Sequence, residues 1–380
     1  MMEDKYFDVV IVGGGLAGLT AAIILSRNKK KVLLIEKKSY PFHKVCGEYV
    51  SNEVLPFLRS IGFNPFEYGA SDISRLRVST PSGKNIVAPL GLGGFGLSRY
   101  TMDEALYQLA ISFGTQVMVN TRVNDIQFEK NVFIIKTADD TFSSSLVIGS
   151  YGKREMLDKK LDREFIKSRT HYMGVKYHIK TDYAKDEVGL DNFNGGYCGI
   201  VKIEKDLFNL CYLYRRNAKF NFHSIKDLEE QVLFKNPAIK KIFNNAEFIT
   251  QEPEVINEIS FARKNVVEDH ILMCGDSAGL ITPLCGNGMS MAIHAAKLLS
   301  ELILNSGILT NREINLENRL LLESNYQKTW RSNFSRRLFV GRTIQKIFGN
   351  AELTEVSLRT IHFIPKLERM LINSTHGKII

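Results

Sequence analysis

Cysteine is scarce in this chain of 380 residues, and its five cysteines form no CxxC pair and no cluster with histidine. Zinc fingers, iron–sulfur clusters and disulfide scaffolds need such spacings, so we expect no metal site and no disulfide framework. Long apolar runs are also missing, since no stretch approaches the roughly 18 residues that a membrane-spanning helix requires. The first strand-like segment starts at Tyr6, which leaves no room for a signal peptide ahead of it. We therefore expect a cytoplasmic protein, with association at a membrane surface left open.

Charge is distributed unevenly along the chain. The net charge is +9, and residues 321–380 hold ten Lys and Arg against four Asp and Glu. Within residues 326–348, Trp330, Phe334 and Leu338 recur at every fourth position beside basic residues. We expect this apolar stripe to pack on the protein's own core, with peripheral membrane contact through 326–348 as the alternative. We expect no nucleic-acid partner, and the sequence predicts no oligomeric state.

The first 40 residues predict a βαβ unit that binds a dinucleotide. An apolar strand over residues 6–12 is followed by Gly13, Gly15 and Gly18 in a GxGxxG pattern that includes Leu16 and Ala17. Such glycines allow a tight turn, close approach of a pyrophosphate to the backbone, and close packing of helix on strand. Glu36 ends the second strand, 18 residues after Gly18, at the spacing of a carboxylate that binds a ribose 2′-hydroxyl. A 2′-phosphate would be repelled there, so the adenosine is not that of NADPH.

A second glycine-rich segment lies far away in the chain, at residues 274–289, with the sequence CGDSAGLITPLCGNGM. It resembles the second FAD fingerprint of the p-hydroxybenzoate-hydroxylase-type flavoproteins, and with the N-terminal motif the resemblance spans residues 6–305. It implies that Gly275 and Asp276 meet the ribityl chain and that Pro283, Gly286, Asn287, Gly288 and Met289 line the flavin ring. Arg99, just before a predicted helix, matches the family's arginine that reaches the FAD pyrophosphate, and Lys44 lies where relatives hold a basic residue.

The resemblance also predicts the architecture. We expect a mixed α/β fold in which a Rossmann-like FAD-binding domain (1–70, 99–168 and 263–305) is discontinuous. An antiparallel-sheet substrate domain (71–98 and 169–262) is interleaved with it, and a helical region (306–380) follows.

Two departures from the hydroxylase pattern point to a neighbouring branch. Tyr151 stands where hydroxylases carry an aspartate that helps FAD to accept electrons from NAD(P)H. The electron donor therefore stays open between NAD(P)H and a separate reductase or ferredoxin. The Ser277-Ala278-Gly279 sequence and the turn at Cys46-Gly47 resemble the geranylgeranyl-reductase branch. We expect Cys46 near the flavin, as an acid, a hydrogen-bond donor or a redox partner of Cys285, although free cysteines are usually inert core residues.

These features predict an FAD-dependent oxidoreductase, with a flavin monooxygenase acting on a bulky apolar or aromatic substrate as the main interpretation. A geranylgeranyl-reductase-like enzyme that saturates isoprenoid double bonds is the alternative. A non-catalytic prenyl or lipid carrier of the same fold is the second alternative. Flavin halogenases share the fold but use a tryptophan-rich motif, and with Trp330 as the sole tryptophan we do not expect halogenation.

Overall fold

The computed structural model describes residues 5–167, 171–216, 222–250, 252–280, 286–310, 313–348, 350, 352–357 and 377–380. In chain order its α-helices are α1 (Leu16–Arg27), α2 (Leu55–Ser60), α3 (Arg99–Ser112), α4 (Met156–Lys160), α5 (Ile225–Gln231), α6 (Pro237–Asn245), α7 (Gly288–Asn305) and α8 (Leu316–Phe348). Its strands are β1 (Tyr6–Val12), β2 (Val32–Ile35), β3 (Tyr49–Ser51), β4 (Ser71–Ser79), β5 (Asn85–Gly96), β6 (Gln116–Met118), β7 (Asp125–Glu129), β8 (Val132–Lys136), β9 (Thr141–Gly149), β10 (Tyr172–Lys180), β11 (Glu187–Phe193), β12 (Gly196–Lys202), β13 (Phe208–Arg215), β14 (Glu247–Phe248), β15 (Glu254–Ile259), β16 (Val267–Glu268) and β17 (Ile271–Met273).

The first sheet has a parallel core in the order β17-β9-β1-β2-β6. Strand β16 and the β7–β8 hairpin extend it with antiparallel pairs. Helix α1 packs against both α3 and α7, and every residue from Leu16 to Ser26 is buried. The small side chains of this helix allow that close packing, and the expected Rossmann-like half of the fold is confirmed.

The second sheet runs in the order β14-β10-β13-β12-β11-β4-β5-β3, with β15 also paired to β10. All its pairs are antiparallel except β11 with β4. Helices α5 and α6 cover one face, where Leu228, Leu233 and Ile239 join the core. The opposite face looks toward the glycine-rich loops of the first sheet. Strand β3 pairs with β5 in this sheet, although residues 1–70 were predicted as part of the FAD-binding domain.

Helix α8 lies on α7 and turns its apolar stripe inward. Trp330 and Leu338 are each 6% exposed and Phe334 is 0% exposed. The ring of Phe334 meets His294 of α7 edge-on, at 5.2 Å between ring centroids. The expectation that the stripe packs on the core is confirmed, so these three side chains do not face a membrane. Among the helices of the described residues, none combines the length and the apolar character needed to cross a bilayer.

Candidate functional site

The predicted glycine-rich turn follows β1 and opens α1, and its backbone leaves no room for side chains at two positions. Gly13 has φ of 103°, and a Cβ there would lie 2.6 Å from the carbonyl oxygen of Ser150. A Cβ on Gly18 would lie 2.1 Å from the Gly13 oxygen. Gly15 precedes α1 with no side-chain cap, so no capping side chain satisfies the first amides of the helix. Gly13, Gly15, Leu16 and Ala17 all line the large cavity between the two sheets.

Two cations, Arg99 and Lys44, flank Gly15. A Cβ at Gly15 would lie 3.8 Å from Arg99 Nη2 and 3.9 Å from Lys44 Nζ. Both side chains share the carboxylate of Asp103, with Arg99 Nε at 2.7 Å from Oδ1 and Lys44 Nζ at 2.9 Å from Oδ2. Burial alone would raise the pKa of Asp103, but the two cations hold it below its usual range. Since two cations share one carboxylate, positive charge remains beside the start of α1, which suits a pyrophosphate.

Glu36 lies at the end of β2 and is 6% exposed. Its Oε2 accepts a hydrogen bond of 2.7 Å from the Gly14 amide, and Oε1 accepts one of 3.0 Å from the Lys38 amide. The carboxylate therefore braces the glycine-rich turn and also lines the cavity. That position agrees with a carboxylate that faces a ribose. The hydrogen bond from the Gly14 amide is a second role of Glu36, which its spacing from Gly18 did not indicate.

The second glycine-rich segment reaches the first one in space. Gly275 has φ of 63°, and a Cβ there would lie 2.9 Å from Ala17 Cβ in α1. Asp276 lines the cavity, and its backbone oxygen accepts a hydrogen bond of 2.8 Å from Lys264 Nζ. Lys264 also donates to the Lys153 oxygen at 2.8 Å, and burial lowers its pKa to about 8. Lys264 thus joins two loops of the site, and no sequence signal indicated it.

Helix α7 begins at the flavin-ring end of this segment. Asn287 precedes the helix and is 0% exposed, and Met289 is 5% exposed. Gly286, Gly288 and Met289 line the cavity, so the start of α7 and its positive dipole end face the same space as the start of α1. Gly286 has φ of 65°, and a Cβ there would lie 3.0 Å from the Tyr49 ring. Pro283 and Cys285 lie outside the described residues, so the Cys46–Cys285 pairing stays a prediction.

The Tyr151 loop lies beside this segment. The Tyr151 hydroxyl donates to Met273 Sδ at 3.4 Å, and burial raises the pKa of the phenol above its usual range. The amide of Gly152 donates to Ser277 Oγ at 2.9 Å. Ser277 therefore accepts a hydrogen bond from the loop that contains Tyr151. In hydroxylases, the position of Tyr151 is the one expected to carry an aspartate.

Cys46 is partly buried and lines the cavity. Its backbone oxygen accepts a hydrogen bond of 3.1 Å from Asn209 Nδ2 on β13. Cys211, two residues further along β13, lines the cavity as well. Glu48, two residues after Cys46, is fully buried and contacts Lys176 and His178 of β10. Neither Asn209 nor Glu48 was identified from the sequence. Asp103 was also missed, although it stands four residues after Arg99, a spacing at which oppositely charged side chains pair on a helix.

The cavity has a volume of about 1040 Å³ and two contrasting walls. One wall carries the glycine-rich loops, Arg99, Lys44 and Asp276. The other is the inner face of the second sheet and is predominantly apolar; it includes Leu76, Val78, Ile86, Ala88, Leu90, Val188, Leu190, Val201 and Leu213. On the first wall, the glycine positions that have no room for a side chain, the starts of α1 and α7, and two cations that share one carboxylate fit the predicted FAD. The second wall fits an apolar molecule beside it.

Comparison with known families and curated proteins gives one family and several distant relatives. A family model described as FAD binding domain matches residues 6–306. A digeranylgeranylglycerophospholipid reductase of Methanococcus vannielii is 26% identical over 80% of this chain and 78% of its own length. Conditioned medium factor receptor 1 of Dictyostelium discoideum is 21% identical over 90% of this chain and 71% of its own length.

Many solved structures share the fold, among them the following two. A flavin-dependent brominase superposes with a TM-score of 0.77, at 18% identity, over 97% of this chain and 93% of that chain. A geranylgeranyl bacteriochlorophyll reductase-like protein of Thermoplasma acidophilum superposes with a TM-score of 0.75, at 18% identity, over 99% of this chain and 93% of that chain. At these identities the superpositions bear on the fold, which agrees with the one expected from the sequence.

Proposed function

Because the chain belongs to the FAD binding domain family, we propose that it is an FAD-dependent reductase that saturates carbon–carbon double bonds in an isoprenoid or similarly long apolar substrate. Family membership confirms the expected cofactor, FAD, and the expected class, oxidoreductase, in preference to the non-catalytic carrier. When bound, reduced FAD supplies two electrons to the substrate. The remaining tasks fall to the residues of this chain.

The observation that carries the proposal is the apolar inner face of the second sheet. Branched side chains from β4, β5, β11 and β12 line the same cavity as Cys46 and Gly47. A long hydrocarbon buried there gains about 0.8 kcal/mol per methylene group, so affinity can come from length alone, without a polar anchor. The reductase of Methanococcus vannielii is named for a geranylgeranyl lipid, and this substrate class supports the proposal.

The residues that would hold FAD divide between its two ends. We propose that the Gly13–Gly18 turn, Arg99 and Lys44 bind the pyrophosphate, because amides and cations converge beside Gly15. Glu36 would face the adenosine ribose. The ring end would be held by the second segment, comprising Gly275, Asp276, Pro283, Gly286, Asn287, Gly288 and Met289. The domain division predicted from the sequence assigns all of these residues to the FAD-binding domain.

Cys46 is proposed as the protic group that faces the substrate. It lines the cavity between the two walls, and Asn209 fixes its backbone. Saturation of a double bond needs a proton beside the hydride, and a thiol can donate that proton. The thiolate left behind would take up a proton from solvent before the next turnover. Cys46→Ala should therefore slow turnover while FAD stays bound, and Cys46→Ser should retain part of the rate. Full activity in Cys46→Ala would remove the catalytic role of this residue.

The test of the reductase proposal is anaerobic. The purified yellow protein is reduced with dithionite, excess reductant is removed, and geranylgeraniol is added under nitrogen. We expect reoxidation of the flavin absorbance and a product two mass units heavier for each double bond saturated. No reoxidation with geranylgeraniol or geranylgeranyl phospholipid would contradict the proposal.

Hydroxylation of an aromatic substrate, the main interpretation of the sequence, is the second candidate. The rings of Tyr49 and Tyr197 line the same cavity and offer stacking surfaces that a purely aliphatic ligand would not use. Admitting air to the reduced protein distinguishes the two reactions. Substrate-dependent oxygen uptake with a product 16 mass units heavier supports hydroxylation, and saturation without oxygen supports reduction.

The electron donor can be identified in the same preparation. Because Tyr151 replaces the hydroxylase aspartate, we propose a separate reductase or ferredoxin in preference to NAD(P)H. Anaerobic mixing with NADH or NADPH should then leave the flavin oxidised, whereas a reduced ferredoxin should bleach it. Rapid bleaching by either nicotinamide would reverse the assignment.

A further inference from the structure

A buried cluster of three charged or titratable side chains lies beside the cavity, next to the Cys46 loop, and the proposed reaction does not use it. It consists of Glu48, which follows Cys46-Gly47, with Lys176 and His178 from β10. Glu48 is 0% exposed and Lys176 is 2% exposed. Glu48 also has a left-handed backbone with φ of 56°, a conformation that a non-glycine residue adopts at a cost. We refer to these three residues as the Glu48 cluster.

Each oxygen of the Glu48 carboxylate has a charged or polar partner. Oε1 lies 2.5 Å from Lys176 Nζ and accepts a hydrogen bond of 2.8 Å from the Arg99 amide. Oε2 lies 2.7 Å from His178 Nε2. Burial alone would raise the pKa of Glu48, but Lys176 and His178 hold it below its usual range, so the carboxylate is ionised.

The cluster is also joined to the loops that line the cavity. Lys176 Nζ donates to the Lys44 oxygen at 3.2 Å, so the same ammonium group holds Glu48 and the loop that leads to Cys46. The next residue, Tyr49, has its ring within 3.0 Å of the Cβ position at Gly286, in the second segment. Glu48 itself lines the cavity. The charges are therefore within the protein interior beside the cavity, next to the Lys44 carbonyl and the Arg99 amide.

A buried ion pair is a poor way to hold a loop, because the cost of removing two charges from water offsets their attraction. Inside a low-dielectric site, however, each of the two charges acts strongly on a nearby redox group. Reduction places negative charge on flavin, and charge near the ring tunes its electronics. We propose that the Glu48 cluster sets the reduction potential of the bound FAD, with Lys176 favouring the reduced form and Glu48 opposing it.

The test compares two single variants that change the charge in opposite directions. Glu48→Gln removes a negative charge and should raise the FAD potential. Lys176→Met removes a positive charge and should lower it. We expect each change to shift the ratio of reduced to oxidised flavin at fixed potential about tenfold or more, which is about 30 mV for a two-electron couple. The double variant should return close to the wild-type potential.

The matched controls lie on β10 and on its neighbour β14. Lys180 is also in β10 and forms an ion pair of 3.2 Å with Glu247, but both side chains are more than half exposed. Lys180→Met and Glu247→Gln repeat the two charge changes in solvent and should leave the potential unchanged. The potential is read from dye-coupled titration of the flavin spectrum, without substrate, so the result does not depend on the proposed reductase activity.

Equal shifts of the same sign in Glu48→Gln and Lys176→Met, or no shift in either, would overturn the proposal and leave the cluster a structural support. If Lys176→Met does not retain FAD, Lys176→Gln and Lys176→Arg replace it. Arginine keeps the charge and should keep the potential, whereas glutamine should lower it. A lowered potential with arginine as well would count against the proposal.

Discussion

Replacing Gly199 with leucine should exclude long apolar substrates from the cavity while FAD binding stays intact. Gly199 lies in the middle of β12 and lines the cavity. On the sheet it is paired with Leu190 of β11 and Cys211 of β13. A glycine inside a strand weakens the strand, and it often marks a place where a ligand or another backbone comes close.

The backbone at this position accepts a side chain. A Cβ on Gly199 would lie 3.6 Å from both the Cys211 oxygen and Leu190 Cδ2, which is ordinary van der Waals contact. The rest of a leucine side chain then extends into the cavity. Displacing about three methylene groups of a substrate costs ~2.4 kcal/mol at about 0.8 kcal/mol each, a roughly fifty-fold loss of affinity.

The assay titrates the oxidised holoenzyme with isoprenoid alcohols of increasing length (geraniol, farnesol and geranylgeraniol) and follows the flavin spectrum. We expect Gly199→Leu to weaken the binding of geranylgeraniol most and the binding of geraniol least, while the FAD content stays unchanged. Val87→Leu is the matched control, because Val87 lies between cavity-lining Ile86 and Ala88 on β5 but is 48% exposed. Equal affinity of Gly199→Leu and wild type for geranylgeraniol would show that no substrate chain passes over β12.

Three further substitutions test the site and its support. Gly18→Ala should yield colourless protein, because the alanine Cβ would lie 2.1 Å from the Gly13 oxygen and disrupt the turn. The measurement is the FAD content per chain after purification, and a yellow variant would show that the turn adapts. Burial and the nearby charges of Arg337 and Lys297 lower the pKa of His294 to about 4, so the folded state disfavours its protonation. The free energy of unfolding should therefore fall by about 3 kcal/mol as pH falls from 6.5 to 4, and urea denaturation of His294→Leu should lack that component. Glu53→Gln breaks a buried ion pair with Arg337, in which the two atoms lie 2.8 Å apart, and should lower the free energy of unfolding by about 3–5 kcal/mol in the same assay. A loss below about 1 kcal/mol would mean that packing alone holds helix α8 at this contact.

Local sequence was sufficient for the elements of the FAD site. The predicted strand at 6–12, the glycine turn and the helix that follows all occur at the expected positions, because each depends on its immediate neighbours. Gly13 and Gly275 have positive φ, a backbone requirement that residue type alone can signal. Asp103 could have been found in the same way, since it stands one helical turn from Arg99.

The residues from the second sheet could not be found this way. Lys176, His178 and Asn209 lie more than 100 residues from the Cys46 loop that they hold, and Lys264 is fixed to Asp276 only by tertiary contacts. Alternation along a strand predicts that its side chains divide between two faces, but it does not say which face meets a cavity. Strand β3 illustrates the same point, since its three residues pair with β5 across the boundary predicted from sequence.

By itself, then, the sequence determined the glycine-rich turn and the strand and helix around it, because these follow from short-range patterns of glycine, charge and apolar periodicity. The class of chemistry followed from the resemblance of residues 274–289 to a flavoprotein fingerprint. The tertiary structure alone decided that Gly275 packs on Ala17, that an apolar sheet face closes the other side of the cavity, and that Glu48 is ionised between Lys176 and His178. The physical reason is that burial, dielectric environment and steric fit arise from segments distant in the chain, and only their packing in three dimensions sets them.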